Sequence, residues 1–132
     1  MSSQLEAIVA GVPADFADPR ADWRAVRAMM APFHGHPCSA ELAVEIRDCG
    51  GVPTGFHVLG GEGGGGRVAF HCHGGAFVSC PLAVYHFYGE MIARALGMPV
   101  AMPDYRLAPE HPFPAAHDDC FNAYRGLLES GV

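Results

Sequence analysis

The chain has 132 residues, half of them hydrophobic, and a net charge of −6 with histidine neutral. That length supports one domain with a sizeable core, and that composition excludes a disordered chain. The acidic balance, with no Lys/Arg cluster, argues against a nucleic-acid or anionic-membrane surface.

The five cysteines (38, 49, 72, 80, 120) are an odd number without C-x-x-C spacing. They read as free thiols of a reducing compartment, which predicts a cytoplasmic protein. The N-terminus has no basic region followed by a long apolar run, so no signal peptide is expected. No apolar run approaches the roughly 20 residues that span a bilayer.

In chain order, "DPRADWRAVRAMMAP" predicts a first helix. Asp18 is placed to cap it, Pro19 suits its first turn, and Trp23, Val26 and Met30 share a face. "FHGHPC" reads as a linker. In "SAELAVEIRDCGG", Ala40, Leu42, Val44 and Ile46 alternate with charged residues, the pattern of a half-buried strand. "DCGGVP" turns the chain and "TGFHVL" forms a second strand, predicting an antiparallel hairpin.

Gly61, Gly63 and Gly66 formally satisfy G-x-G-x-x-G. A strand follows them instead of a helix, so the dinucleotide reading is rejected in favour of a flexible loop. "RVAFHC" is a nearly continuous apolar strand, as expected when both faces are covered. "PLAVYHFYGEMIARALG" is a helix with Tyr88, Met91, Ile92, Ala95 and Leu96 on its apolar face and Gly97 at its end. "MPVAMPDY" is a short strand and "RLAPEHPFP" an extended proline-rich connection. In the last helix Cys120, Phe121, Tyr124, Leu127 and Leu128 share a face, with Asp118 and Asp119 near its start. The second half is thus a βαβα unit with parallel strands.

The stretch "HCHGGAFVSC" (71–80) carries the chemistry. A metal site from His71 and His73, with His57, Cys80 or His86 and with Cys72 pointing the other way, is one reading. Coordination does not explain the two glycines after His73. An anion hole does: glycine lets a reacting carbonyl approach main-chain N–H donors, and each preorganised donor lowers the barrier by roughly 3 kcal/mol. A plain glycine-rich turn, with His73 a core histidine, is the bland alternative.

"HGGAF" followed by "DYRLAPEHPFPAA" closely resembles the hormone-sensitive lipase family of α/β-hydrolase esterases, over a match running from about residue 40 to the end. The family's first motif is H-G-G-G and an aromatic; Ala76 replaces its third glycine, a change tolerable at negative φ. The resemblance implies that Gly75 and Ala76 donate oxyanion-hole N–H groups and that His73 and Gly74 shape the turn. Asp104, Tyr105, Arg106 and Glu110 form the second motif. They read as a scaffold beneath that loop, with Arg106 bridging carboxylates.

The implied fold is a partial α/β-hydrolase: an N-terminal cap segment (1–37), then an antiparallel hairpin and a βαβα parallel unit (38–132). G-x-S-x-G is absent, and none of the five serines (2, 3, 39, 79, 130) has the flanking glycines. Ser79 reads as a helix-start residue, and Cys80 as an unsuitable nucleophile beside Pro81.

No nucleophile, acid or base is assigned in this chain. The expectation is an N-terminal portion of a serine carboxylesterase for short acyl esters, needing no metal or cofactor. Its partners would be a small ester substrate and the remaining half of the fold, and it would be inactive alone. The alternatives are a non-catalytic half-fold for binding or assembly, and a His/Cys metal-binding module.

Overall fold

The computed structural model describes residues 22–33, 37–60 and 65–131. Asp18, Pro19, the residues ahead of them and the glycine run at 61–64 lie outside these. Helix α1 (Trp23–Met30) runs into a 3-10 turn (Ala31–Phe33). Within the described residues Asp22 is its N-cap, accepting the Arg24 N–H at 3.0 Å.

Strands β1 (Leu42–Cys49) and β2 (Val52–Leu59) form the expected antiparallel hairpin. They are followed by β3 (Ala69–Phe70), α2 (Leu82–Leu96), β4 (Val100–Pro103) and α3 (Ala115–Glu129). The sheet order is β1-β2-β4-β3. β4 is antiparallel to β2 and parallel to β3, as a βαβ unit requires. The result is a partial α/β-hydrolase fold.

The helices lie on opposite faces of the sheet. Leu82 and Ala93 of α2 pack on Val100 and Met102 of β4. Ala123 and Leu127 of α3 pack with Cys49, Val52, Phe56 and Ala101 on the other side. Alternate β4 side chains therefore serve two cores, and every β4 residue is buried.

Two close approaches set the layer spacing. A Cβ on Gly89 would lie 2.5 Å from the His57 ring, and one on Gly126 would strike the backbone of Gly50. Small residues thus let α2 sit on β2 and α3 on the hairpin turn. Among the described residues no helix is long and apolar enough to cross a membrane.

Several sequence expectations need correction. The apolar row of β1 is not half-buried: Ile46 is 57% and Val44 36% exposed. α2 packs over β2 and β4, leaving that edge row uncovered. The regular part of the third strand is only Ala69–Phe70, although the Ala69 and His71 amides both donate to the β4 side at 2.9 Å.

The predicted apolar face of α2 is largely its outer one. Leu82, Gly89 and Ala93 are buried, whereas Tyr88, Met91 and Leu96 are exposed. In α3 the predicted face is split: Leu127 is in the core, Cys120 is half-buried and Tyr124 packs edge to face on Phe70, whereas Phe121 and Leu128 are exposed; Ala116, Asp119 and Ala123 complete the inward side. The proline-rich connection is turned, not extended: His111 N–H donates to the Leu107 carbonyl at 2.9 Å, and the Ala108–Pro109 and Phe113–Pro114 bonds are cis.

Candidate active site

The loop from β3 to α2 begins beyond the carboxyl end of a strand, where α/β sheets bind ligands. Residues 104–107 leave the parallel neighbour β4 at the same end. Gly75 has φ 122°, and Ala76, Phe77 and Cys80 have φ of 53°, 61° and 66°. Left-handed backbone costs a non-glycine residue about 1–2 kcal/mol. Such clusters persist only where their surroundings hold them. Ala76 therefore does not meet the negative φ under which its replacement of glycine is tolerable.

The loop is closed from within. The Gly75 carbonyl accepts the Val78 and Ser79 amides at 3.1 and 3.0 Å and the Ser79 hydroxyl at 3.0 Å. Ser79 does not cap α2; Asp104 does, its Oδ1 accepting the Leu82 N–H at 3.0 Å. A Cβ on Gly75 would strike the Ser79 carbonyl. Among the described residues, neither the Gly75 nor the Ala76 amide donates to another protein group. Successive unpaired amides in a turn form a concavity suited to an anion.

Beneath the loop, His73 is buried between two tyrosines. Tyr105 stacks on it at 4.1 Å and 14°, and Tyr85 at 5.1 Å and 27°. The Tyr105 hydroxyl donates to the His73 carbonyl at 2.6 Å. Burial lowers the His73 pKa, so the ring is neutral. Its Nδ1 lies 3.0 Å from the Gly74 carbonyl. The Nε2 atom is buried without a partner among the described residues. The Tyr85 hydroxyl backs Gly74, where a Cβ would lie 2.9 Å from it.

The second motif braces the loop through partners the sequence did not reveal. Arg106 holds neither Asp104 nor Glu110. It forks onto Asp119 of α3, with Nε–Oδ2 at 2.8 Å and Nη2–Oδ1 at 2.7 Å. That guanidinium keeps the Asp119 carboxyl below its usual pKa. Glu110 instead pairs with Arg27 of α1, at 2.7 and 2.6 Å. The same guanidinium donates to the Val78 carbonyl at 2.6 Å and the Ala108 carbonyl at 2.9 Å. The Ala108 amide donates to Phe77 at 2.8 Å.

Arg27 thus joins α1, the glycine loop and the proline-rich turn. Sequence reasoning passed over it; it is one of three arginines in the predicted helix segment, next to Val26 of the apolar face. A cavity of about 250 Å³ lies beside it, lined by Arg27, Ser79, Cys80, Pro81 and Leu107.

The residues of the metal reading are not gathered at one point. His57 Nε2 meets His86 Nδ1 at 3.0 Å, the His71 ring lies tilted by 49° against Tyr88 at 5.4 Å, and the His73 ring is held between Tyr85 and Tyr105. Among the described residues, no three His, Cys, Asp or Glu side chains converge as metal ligands. Cys80 is buried at 2% exposure beside the Ser79 hydroxyl.

A layered βαβ unit with this loop at its carboxyl end is the architecture of an α/β-hydrolase. The profile of the alpha/beta hydrolase fold family matches residues 69–131. An esterase of Acinetobacter venetianus is 41% identical over 66 residues, covering 50% of this chain and 22% of the relative. The hormone-sensitive lipase of Bos taurus is 46% identical over 54 residues, 41% of this chain and 7% of the lipase. A crystal structure of a hormone-sensitive lipase from a metagenome library superposes with TM-score 0.76 at 30% identity. It covers 99% of this chain and 44% of that one. The chain is a portion of an α/β-hydrolase fold, similar in sequence and structure to hormone-sensitive lipases and bacterial esterases. It spans only a minor part of the length of the curated relatives that it matches.

Proposed function

We propose that this chain supplies the oxyanion hole of a serine carboxylesterase acting on short acyl esters. In this reading, the Gly75 and Ala76 amides receive the charge that develops on the carbonyl oxygen as a serine attacks. The serine, a histidine that moves its proton to the leaving alcohol, and an orienting carboxylate come from polypeptide outside these residues. A further donor follows the serine in sequence. His73 and Gly74 shape the turn, and Asp104, Tyr105, Arg106 and Glu110 hold it from below. No cofactor takes part.

Residues 1–37 belong to a cap over the acyl pocket, and 38–132 to the hydrolase core. The protein works in the cytoplasm. The chain alone is inactive, because donors stabilise a transition state only when a nucleophile generates it.

The observation that carries this reading is the pair of amides, at 75 and 76, that donate to no other group among the described residues and lie beyond the carboxyl ends of two parallel strands. The exposed apolar flanks of α2 and α3 suit contact with the remaining half of the fold.

The test is an ester assay on the chain alone and on a polypeptide extended through a G-x-S-x-G segment read from the downstream frame. Turnover is expected only in the extended protein, and exchanging the Ala76 peptide N–H for an ester oxygen (the lactic-acid analogue), which removes one donor and leaves φ free to stay positive, should cut kcat by about a hundredfold or more. Turnover by the 132-residue chain, or an unchanged kcat in the variant, would refute it.

A further inference from the structure

Two of the five cysteines meet across the layer between β3 and α3. The Cys72 and Cys120 side chains face each other there, close enough for each to shift the other's pKa. A second contact fixes the same register independently. Phe70 and Cys72 are two apart on an extended segment and face one side. Tyr124 and Cys120 are four apart on a helix and also share a face. The Phe70 and Tyr124 rings pack edge to face at 5.6 Å, so the two pairs are successive rungs of one ladder. Both thiols are free; Cys72 is exposed and Cys120 half-buried. Cys49 and Cys80 are buried.

We propose that Cys72 and Cys120 form a two-electron oxidation site whose substrate is a hydroperoxide. The Cys72 thiolate attacks the peroxide oxygen, the O–O bond breaks, and the alkoxide leaves and takes a proton from water. This gives a sulfenic acid on Cys72. The Cys120 thiol then displaces hydroxide from that sulfur, which departs as water with the thiol proton, and a disulfide forms. The dithiol loses two electrons and two protons, and the hydroperoxide becomes an alcohol and water.

An exposed thiol with a resolving partner in contact is the arrangement of a redox-sensitive cysteine. Hydrogen bonding from Cys120 holds the Cys72 pKa down at about 7, so much of it is thiolate at neutral pH. The Cys120 pKa is raised, which keeps that thiol protonated until it resolves the intermediate. The bridge ties the strand end one residue before His73 to α3, beside the Asp119 that holds Arg106. This inference is independent of ester hydrolysis. Its readout is thiol chemistry, so its failure would leave the oxyanion reading untouched.

The test treats the chain with hydrogen peroxide at pH 7, alkylates the remaining thiols and maps the peptides by mass spectrometry. A Cys72–Cys120 crosslink that dithiothreitol reverses is expected, with Cys38, Cys49 and Cys80 alkylated. In Cys120→Ser a dimedone adduct should accumulate on Cys72, about tenfold above the unsubstituted chain. Without any variant, Cys72 should react with iodoacetamide about tenfold faster than Cys38, whose pKa burial raises. A crosslink between other cysteines, a persistent Cys72 adduct in the unsubstituted chain, or equal alkylation rates would overturn the proposal.

Discussion

The hairpin turn at Gly50–Gly51 and the loop at 75–80 both use left-handed backbone, but by different means. In the hairpin, glycines occupy both positive-φ positions, at 62° and 86°, the conformation of a two-residue turn between twisted strands. Its one side-chain bond among the described residues is local, from the Gly51 amide to Asp48 Oδ1 at 3.0 Å. In the loop, Ala76, Phe77 and Cys80 hold positive φ against their own Cβ atoms. Hydrogen bonds from Val78, Ser79, Tyr105, Ala108 and Arg27 hold that shape. A turn that only reverses the chain can rely on glycine. The loop of the proposed oxyanion hole is braced from two other segments, α1 through Arg27 and the connection after β4 through Tyr105 and Ala108.

The largest expected effect separates the two turns directly. Gly75→Val combines a disfavoured φ with a clash against the Ser79 carbonyl and should cost about 3 kcal/mol or more by urea denaturation. Gly51→Ala has open space at its Cβ and should cost only about 1 kcal/mol. Equal losses would mean that the loop is not packed as described. Next, Arg27→Met removes the donor to the Val78 and Ala108 carbonyls. Hydrogen exchange of the Ala108 amide should quicken about tenfold, while the Gly51 amide is unaffected. Exchange at Ala108 that does not change would remove Arg27 from the brace.

A smaller effect has the opposite sign. Ala76→Gly relieves a left-handed alanine and should stabilise the chain by up to about 1 kcal/mol, or leave it unchanged once glycine's extra unfolded-state freedom is counted. A clear loss of stability would show that the alanine methyl makes a favourable contact. The last expectation concerns acid. Burial lowers the pKa values of His57, His73 and His86 below the ordinary 6.5. The unfolded chain therefore binds more protons in that range, and stability should fall as pH drops below about 6.5 toward the folded-state pKa values. The denaturation midpoint at pH 7.5 should exceed that at pH 5.5; the reverse order would contradict the neutral, buried rings.

Much of the fold was legible in the residues. Period-two alternation in 42–46 and the glycine pair at 50–51 gave the hairpin. The order of the later segments gave the parallel pair β3 and β4. The site was legible as a motif, because a His-Gly-Gly turn between strand and helix has few physical uses. The buried face of α2 was not legible, and that of α3 only in part, through Leu127, Cys120 and Tyr124. Both helices carry apolar residues over most of their surface, so periodicity selects no single face. The faces that went inward are those with Gly89, Ala93 and Ala123, whose small side chains allow close approach to the sheet. Arg106 was expected to bridge its sequence neighbours and instead found Asp119, thirteen positions away.

The chain by itself determined its element types, their order, the parallel pairing of the second half and the location of the glycine loop. Each depends on local backbone preference and on spacing along one segment. Tertiary structure alone decided the left-handed turn of Ala76, the burial of His73 between Tyr85 and Tyr105, the grip of Arg27 on Glu110 and the meeting of Cys72 with Cys120. Those outcomes depend on contacts between residues far apart in sequence. Such contacts form only when the sheet and its two helical layers bring the segments together.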